Sequence, residues 1–278
     1  MMSNSNQLYD AADKWITSMG GWIPGERVVY RGKDLHTELH ELDWLALFVY
    51  GITGRYFTEN QLTVLNAVWT CTSFPDPRIW NNGVVALAGT ARSSASLGIS
   101  AALAISDAGI YGNGPCVQAL EFVLRAAAAT DSGVKLEVFI QQELDQGKTI
   151  YGFGRPLTGV DERIPHLMSV IKTNGLHEGK FLSLILKTAK YLHQDRRKLQ
   201  LNVAGIFAGL AADMGFTAEE YNLFIVPLFL AGMPPIFLEA SSKPAGTFFP
   251  LRCEQIVYHG KQRRRWTEPT KRHTASAG

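Results

Sequence analysis

Apolar residues recur with helical spacing along most of the chain. Leu62, Leu65 and Val68 form one such stripe, and it follows Thr58 and Gln61, which are placed as the two ends of a capping box. Segments with the same spacing run over 42–54, 117–128, 134–144, 167–172, 180–193 and 202–214. Very little period-2 alternation interrupts them. The pattern predicts an all-α fold with some ten helical segments.

Two regions near the start of the chain have different patterns. Residues 1–24 mix polar residues with Trp15, Ile16 and Met19 and reach a double glycine at Gly20, which predicts a short helix that either docks loosely or fits a partner subunit. Residues 27–37 predict a short strand or hairpin followed by a turn.

Two apolar segments predict the centre of the fold. Residues 80–110 are rich in Ala, Gly and Ser, and such small residues allow helix backbones to approach closely, so a packed helix pair is expected there. Thr217 and Glu220 predict the start of a helix that carries an apolar run to Glu239. That run spans 223–238 and contains three prolines, so it is too short and broken for a bilayer and predicts a kinked core helix.

Composition narrows the function classes only slightly. The 278 residues carry a formal net charge of +2, and the three cysteines are widely spaced. This spacing fits neither a disulfide framework nor a zinc site, so we expect a metal-free protein from a reducing, cytoplasmic compartment, without a secretory signal or membrane span. Residues 261–278 hold six basic residues against one acidic residue. Such a run is usually a solvated tail; nucleic-acid binding is not expected.

A glycine loop from Thr149 to His166 interrupts the helical pattern. It holds three glycines and two prolines, with Arg155 between a glycine and a proline. A constrained loop with a fixed cation is a candidate cradle for an anion or phosphate. The alternative is a connecting loop in which Arg155 pairs with Asp161 or Glu162.

The order of several short motifs resembles the citrate synthase superfamily, including its citryl-CoA lyase-like members. The segment from Tyr30 to Asp34 is similar to the family's Tyr-Arg-Gly-Tyr-Asp, and the loop Tyr151–Pro156 with Asp161 to Arg163 is similar to Pro-Gly-Phe-Gly-His…Asp-Pro-Arg. Further matches, over about residues 27–266, are 45–51, 58–61, 201–205, 232–239 and 258–260.

This resemblance implies a helical large domain, a smaller helical domain that closes over a cleft, and a homodimer. It places the large domain at 1–116 and 221–278 and the small domain at 117–220, with a disordered tail at 267–278. The implied chemistry makes or breaks a carbon–carbon bond of an acyl-CoA, with a CoA thioester as substrate and no permanently bound cofactor. Such chemistry needs a base and donors to an enol oxygen.

The family's catalytic residues are replaced in this sequence. Its two histidines fall on Tyr111 and Arg155, and its aspartate base falls on Ala204. Its second-site arginine and histidine fall on Phe229 and Ile236. Alanine has no titratable group, and the other two changes make that wall apolar, so citrate synthesis by the usual mechanism is not expected.

We therefore consider two functions. In the first, a diverged enzyme uses a substrate other than oxaloacetate or citrate. In the second, a catalytically silent relative binds acyl-CoA or pairs with an active subunit. The candidate catalytic residues are Tyr111, Asn113, Arg155 and His166, and the candidate CoA-binding residues are Gly152, Phe153, Gly154, Asp161, Arg163, Arg252 and Arg264.

A purely structural role also stays open for some of these candidates. Tyr111 could be a core tyrosine with a satisfied hydroxyl, and His166 a surface loop histidine. Cys116, close after Tyr111, is a conceivable nucleophile, although buried cysteines are usually inert.

Overall fold

The computed structural model describes Tyr9 and residues 12–155, 159–195, 198–247 and 253–261. Within these residues the chain forms eleven α-helices and one small sheet, which confirms the all-α fold class. The helices are α1 (Trp44–Thr53), α2 (Glu59–Thr72), α3 (Trp80–Thr90), α4 (Ala95–Ser106), α5 (Asn113–Asp131), α6 (Leu136–Asp145), α7 (Arg163–Thr173), α8 (Lys180–Gln194), α9 (Val203–Asp213), α10 (Ala218–Ile225) and α11 (Met233–Ser242). Leu230–Gly232 and Cys253–Gln255 form short 3₁₀ turns.

The sheet corrects the prediction for the N-terminal region. Strand β1 (Gly20–Ile23) pairs antiparallel with β2 (Arg27–Tyr30), which pairs with β3 (Lys33–Asp34). Of the short helix expected within 1–24, Tyr9 is helical, whereas residues 14–17 have no regular structure and Gly20–Ile23 form a strand. The physical reason is the three-residue turn after Ile23, in which Gly25 takes a positive φ of 73° and allows the chain to pair with itself.

Side-chain caps fix several helix starts as the sequence predicted. Thr58 and Gln61 form a complete capping box at α2, and Thr217 and Glu220 form another at α10. Asn202 caps α9 by accepting hydrogen bonds from two backbone N–H groups of its first turn.

The helices form two closely packed groups that share a core. Helices α3, α4 and α11 pack together, and a Cβ on Gly98 of α4 would lie 2.6 Å from the Cβ of Ala88, so the small residues there do permit close approach. Helices α5, α8 and α9 form the second group, with α6 and α10 against α5. Helix α5 begins at Asn113 and crosses the predicted boundary at 116/117 without a break. The division into two domains stays a prediction.

The apolar run after Thr217 differs from the predicted single kinked helix. Helix α10 ends at Ile225, and α11 begins only at Met233. Pro227 lies in the break, where a proline removes a backbone donor and its ring crowds the preceding turn. By length and composition the stretch 218–242 reaches the hydropathy of a membrane span, 1.9 over its most apolar window. One such stretch is weak evidence, because core helices of soluble proteins pass the same test.

Arg31, which lies outside the helices, caps the C-terminal end of α1. Arg31 donates from Nε to the carbonyl of Gly51 at 2.7 Å and from Nη2 to that of Ile52 at 2.8 Å. These carbonyls belong to the last turn of α1, where no intrahelical donor remains for them. The strand region is thereby attached to the helical body.

We expect Arg31→Ala to lower the free energy of unfolding by about 1–3 kcal/mol, because two partly buried carbonyls lose a charged donor. Chemical denaturation measures the change. The matched control is Arg27→Ala, since Arg27 is exposed and its contact with Glu26 is 3.8 Å long. Equal losses in the two variants would contradict the role of Arg31.

Candidate functional site

The glycine loop is attached to the N-terminus of α9 by backbone hydrogen bonds. The carbonyl of Gly152 accepts from the N–H of Asn202 at 3.0 Å, and the N–H of Gly154 donates to Gln200 at 2.6 Å. The Asn202 side chain donates to the carbonyl of Gly154 at 2.8 Å. Residues 152–154 of the loop are therefore held against the start of α9.

A close approach of two backbones explains one of the glycines. Gly152 has a positive φ of 87°, and a Cβ on it would lie 2.7 Å from the Cα of Gly205 in α9. Phe153 buries its ring edge-on against Phe122, so the structure gives that side chain a packing role. The predicted contacts of Gly152, Phe153 and Gly154 with CoA stay predictions.

Asp161 is a fully buried carboxylate that joins the loop to α7 and α9. Its two oxygens accept from Nε and Nη2 of Arg163 at 2.8 and 2.7 Å, and Oδ2 also accepts from the N–H of Val203 at 2.9 Å. Burial alone would raise the pKa of Asp161, but the hydrogen bonds and charge of Arg163 outweigh it, so the pKa lies below its usual range. Asp161 is ionised at neutral pH, and its oxygens are occupied.

The structure places Arg155 in an ion pair within its own loop. Its Nη1 lies 2.9 Å from Glu162 and 3.9 Å from Asp161. Only 18% of the Arg155 side chain is exposed, whereas 70% of the Glu162 side chain is. The ion pair weighed as the alternative for Arg155 is thus present. Its predicted catalytic role stays a prediction.

Tyr111 lies between two aromatic rings. Phe229 stacks on it with a centroid distance of 5.5 Å, and Trp80 lies tilted against it at 5.4 Å. The Tyr111 hydroxyl donates to Oδ1 of Asn81 at 3.3 Å. Burial raises the pKa of Tyr111 far above its usual value, so the side chain is a neutral phenol at physiological pH.

Arg163, rather than Arg155, is the cation that acts on Tyr111. Its positive charge lowers the pKa values of Tyr111, Cys71 and Cys116, although burial outweighs it at all three. The pKa of Cys71 rises to about 11 and that of Cys116 to about 12, so both remain thiols at neutral pH. The conceivable nucleophile Cys116 is therefore in its unreactive form.

For two further candidates, Asn113 and His166, the structure shows no hydrogen bond or ion pair with Tyr111 or Arg163, and the other two lie outside the described residues. Asn113 is the first residue of α5 and is buried, and its Oδ1 has no hydrogen-bond partner among the described residues. His166 is exposed on α7. Arg252 and Arg264 lie outside the described residues, as does the predicted tail 267–278. Among the described residues no three His, Cys, Asp or Glu side chains form a metal site.

The sequence analysis missed the polar residues behind Tyr111. Asn81 and Asn82 lie fully buried in the first turn of α3, and Ser106 lies buried at the end of α4. The available signal was a pair of asparagines at the start of an otherwise apolar helix. Asparagine in a helix is costly unless its amide has partners, so such a pair suggests a buried hydrogen-bond network.

Three positions that the resemblance aligns with the family's aspartate base and its second-site arginine and histidine carry apolar side chains. Ala204 lies in the first turn of α9, where Asn202 and Asp161 already take the backbone N–H groups. Phe229 covers Tyr111, and Ile236 is buried in α11. Among the described residues, these three positions therefore provide no charge that could hold a second carboxylate.

Two grooves lie near these elements. A groove of about 540 Å³ is lined by Gly109 and Gly114 of the Tyr111 turn, by Tyr151 of the glycine loop and by the start of α10. A larger one, of about 910 Å³, lies between α1, α2 and residues 227–234 and contains none of the candidate site residues. The smaller groove adjoins the turn and the loop, whereas the larger one does not.

The contact between Gly152 and Gly205 predicts the sign of one mutation. In an ordinary helix interior, Gly→Ala stabilises by about 1 kcal/mol. A Cβ on Gly205 would lie 2.8 Å from the carbonyl oxygen of Gly152, so we expect Gly205→Ala to destabilise by about 1–3 kcal/mol in thermal unfolding. Gly21→Ala is the control, because a Cβ there meets nothing within 4 Å. A stabilised Gly205→Ala would show that the backbones do not approach closely.

The chain is similar to known proteins in its structure, whereas its sequence gives no match. No protein-family model matches the sequence, and no curated protein matches it. The structure is similar to citryl-CoA lyase from Hydrogenobacter thermophilus, with a TM-score of 0.79 and 20% identity over 91% of this chain and 97% of that one.

Two longer proteins contain the same arrangement. ATP citrate lyase from Methanosaeta concilii, solved with (3S)-citryl-CoA, gives a TM-score of 0.74 at 18% identity, covering 94% of this chain and 45% of that one. Citrate synthase from Thermotoga maritima gives 0.62 at 16% identity, covering 84% and 62%. At such identities the likeness concerns the fold. The chain has the citrate synthase-superfamily fold.

Proposed function

We propose that the protein binds a CoA thioester and makes or breaks a carbon–carbon bond of its acyl chain. The observation that carries the proposal is the partly buried, neutral hydroxyl of Tyr111, at the position onto which the sequence resemblance places the first histidine of the citrate synthase superfamily. Supporting it, similar structures were solved with citryl-CoA or with citrate and coenzyme A.

The ligand's thioester arm fits the groove lined by Gly109, Gly114 and Tyr151. Asp107 and Glu219 also line that groove, so it suits the uncharged amide-bearing arm of CoA better than its phosphates. From there the acyl group reaches Tyr111, which follows Gly109 by two residues.

Arg163 provides a permanent cation for a reacting oxygen. Asp161 engages its Nε and Nη2, while its Nη1 has no hydrogen-bond partner within the described residues. Cleavage of the C2–C3 bond removes the proton of a hydroxyl on C3 and moves the bonding electrons into a C2 enolate of the thioester. A fixed guanidinium stabilises the negative charge that develops. Of the predicted groups, His166 is the one left to serve as base.

The acyl substrate we propose is different from oxaloacetate or citrate. Ala204, Phe229 and Ile236 leave that side of the site apolar. Arg155 is already paired with Glu162. A ligand with several carboxylates would lack partners there, and each unpaired buried charge is costly.

A second function is favoured by one specific observation. Asp161 and Glu162, the carboxylates of the glycine loop, are both engaged by arginines, and the phenol of Tyr111 is not ionised. None of these three groups acts as a base at neutral pH. The second candidate is therefore a catalytically silent relative that binds acyl-CoA.

Exchange of the acyl α-protons distinguishes the two functions. In D₂O we expect the protein to bind CoA by calorimetry and to exchange the α-protons of acetyl-CoA for deuterium, seen by mass spectrometry. Arg163→Lys is expected to slow exchange by about 10²-fold or more, since it replaces the fixed guanidinium that stabilises the developing enolate. Arg125→Lys is the matched control, because its guanidinium contacts Glu143 elsewhere in the fold. Binding without exchange would favour the silent relative, and absence of CoA binding would refute both.

We further propose a homodimer that covers one face of α4. Leu97, Ala101, Ala104 and Ile105 lie along one stripe and are exposed, with Leu97 at 68%. No charged residue occurs between Arg92 and Asp107. A continuous apolar face of this kind is typical of a buried subunit contact.

Light scattering after size-exclusion chromatography should give twice the mass of 30.7 kDa for the wild-type chain. We expect Leu97→Glu to shift the protein toward the monomer, because a charge would be buried in the contact. Val138→Glu, at an exposed apolar residue of α6, should leave the mass unchanged. A monomeric wild-type chain would contradict the proposal.

A further inference from the structure

Behind Tyr111 lies a hydrogen-bond chain whose direction can be assigned group by group. It runs from the carbonyl of Ala102 through Ser106 and Asn81 to the Tyr111 hydroxyl. Ser106 and Asn81 are no more than 1% exposed, so water does not replace these contacts. The orientation of each group follows from what its neighbour is able to donate.

Asn81 has one possible amide orientation in this chain. One of its amide atoms lies 2.8 Å from the backbone N–H of Asn82, which can only donate, so that atom is the oxygen Oδ1. The amide nitrogen then faces Ser106 Oγ at 2.9 Å. The Ser106 hydroxyl donates its hydrogen to the carbonyl of Ala102 at 2.8 Å, so its oxygen can accept from the amide nitrogen of Asn81.

The polarity of Tyr111 follows from that orientation. Its hydroxyl lies 3.3 Å from Oδ1 of Asn81, and a hydroxyl has a single hydrogen, which therefore points to Asn81. No described residue donates to the Tyr111 oxygen. Its lone pairs are left for a ligand, which reverses the sequence-based expectation that Tyr111 donates to a carbonyl or enolate oxygen.

We propose that Asn81 is a positioning residue that holds the Tyr111 hydroxyl as a hydrogen-bond acceptor, so that the acyl group it meets carries a donor. This inference rests on the proposed function and names its substrate class: an uncharged 3-hydroxyacyl thioester. Phe229 and Trp80 surround the Tyr111 ring with apolar surface. Arg155 is paired with Glu162, so its charge is not needed to bind a carboxylate on the acyl chain.

Three CoA thioesters of the same chain length test the polarity: 3-hydroxybutyryl-CoA, butyryl-CoA and acetoacetyl-CoA. For the wild-type protein, calorimetry should give a Kd for the hydroxy compound that is about 3- to 10-fold lower than for the other two, as one added hydrogen bond provides. In Tyr111→Phe the preference over butyryl-CoA should vanish, while binding of butyryl-CoA itself changes little.

Asn81→Leu tests the orientation directly. Without the acceptor behind it, the Tyr111 hydroxyl is free to donate, and the preference should move to the carbonyl of acetoacetyl-CoA. If Asn81→Leu does not fold, Ser106→Ala takes its place: it removes the acceptor for the Asn81 amide nitrogen and should reduce the preference for the hydroxy compound at least 2-fold.

The outcomes separate this inference from the function on which it rests. Binding of all three thioesters with acetoacetyl-CoA preferred, or with no preference, would overturn the assigned polarity and leave acyl-CoA binding in place. A preference that survives in Tyr111→Phe would also overturn it. If none of the three thioesters binds, the proposed function fails and the inference fails with it.

Discussion

The buried carboxylate of Asp161 is the interaction on which the site depends. A charge with no exposed surface is tolerated only when nearly every lone pair has a partner, and here Arg163 and the N–H of Val203 provide the partners. This one side chain therefore fixes three elements: the loop that carries it, the start of α7 and the start of α9. It also neutralises the positive end of α9, which is thus closed to an external anion.

The position of Arg163 follows from the same bond. Its bidentate contact with Asp161 orients the guanidinium, and its positive charge lowers the pKa values of Tyr111, Cys71 and Cys116. Arg155, eight residues earlier in the chain, instead lies 2.9 Å from the exposed carboxylate of Glu162 and 3.9 Å from Asp161. The short bidentate contact with the buried carboxylate distinguishes Arg163 from Arg155.

Much of the fold was accessible from sequence because its signals are local. Thr58, Thr217 and Asn202 cap their helices through contacts within three residues, which the residue order itself encodes. The strand and turn predicted over 27–37 are present as β2 and β3, whereas the pairing of β1 with β2 was not predicted, because all four residues of β1 are exposed and show no alternation of buried and exposed positions. The roles of Asn81 and Tyr111 depend on a contact 30 residues apart, and no local pattern encodes it.

Helix α5 extends from the Tyr111 turn into the group of helices formed with α8 and α9. It begins at Asn113, two residues after Tyr111, and its 19 residues reach into the group formed with α8 and α9. At 1.5 Å per residue it is about 28 Å long, so a tilt of about 3° at its far end moves Asn113 by about 1.5 Å. A repacking of α8 that tilted α5 by this angle would therefore displace Asn113 by a distance comparable to the tolerance of a hydrogen bond.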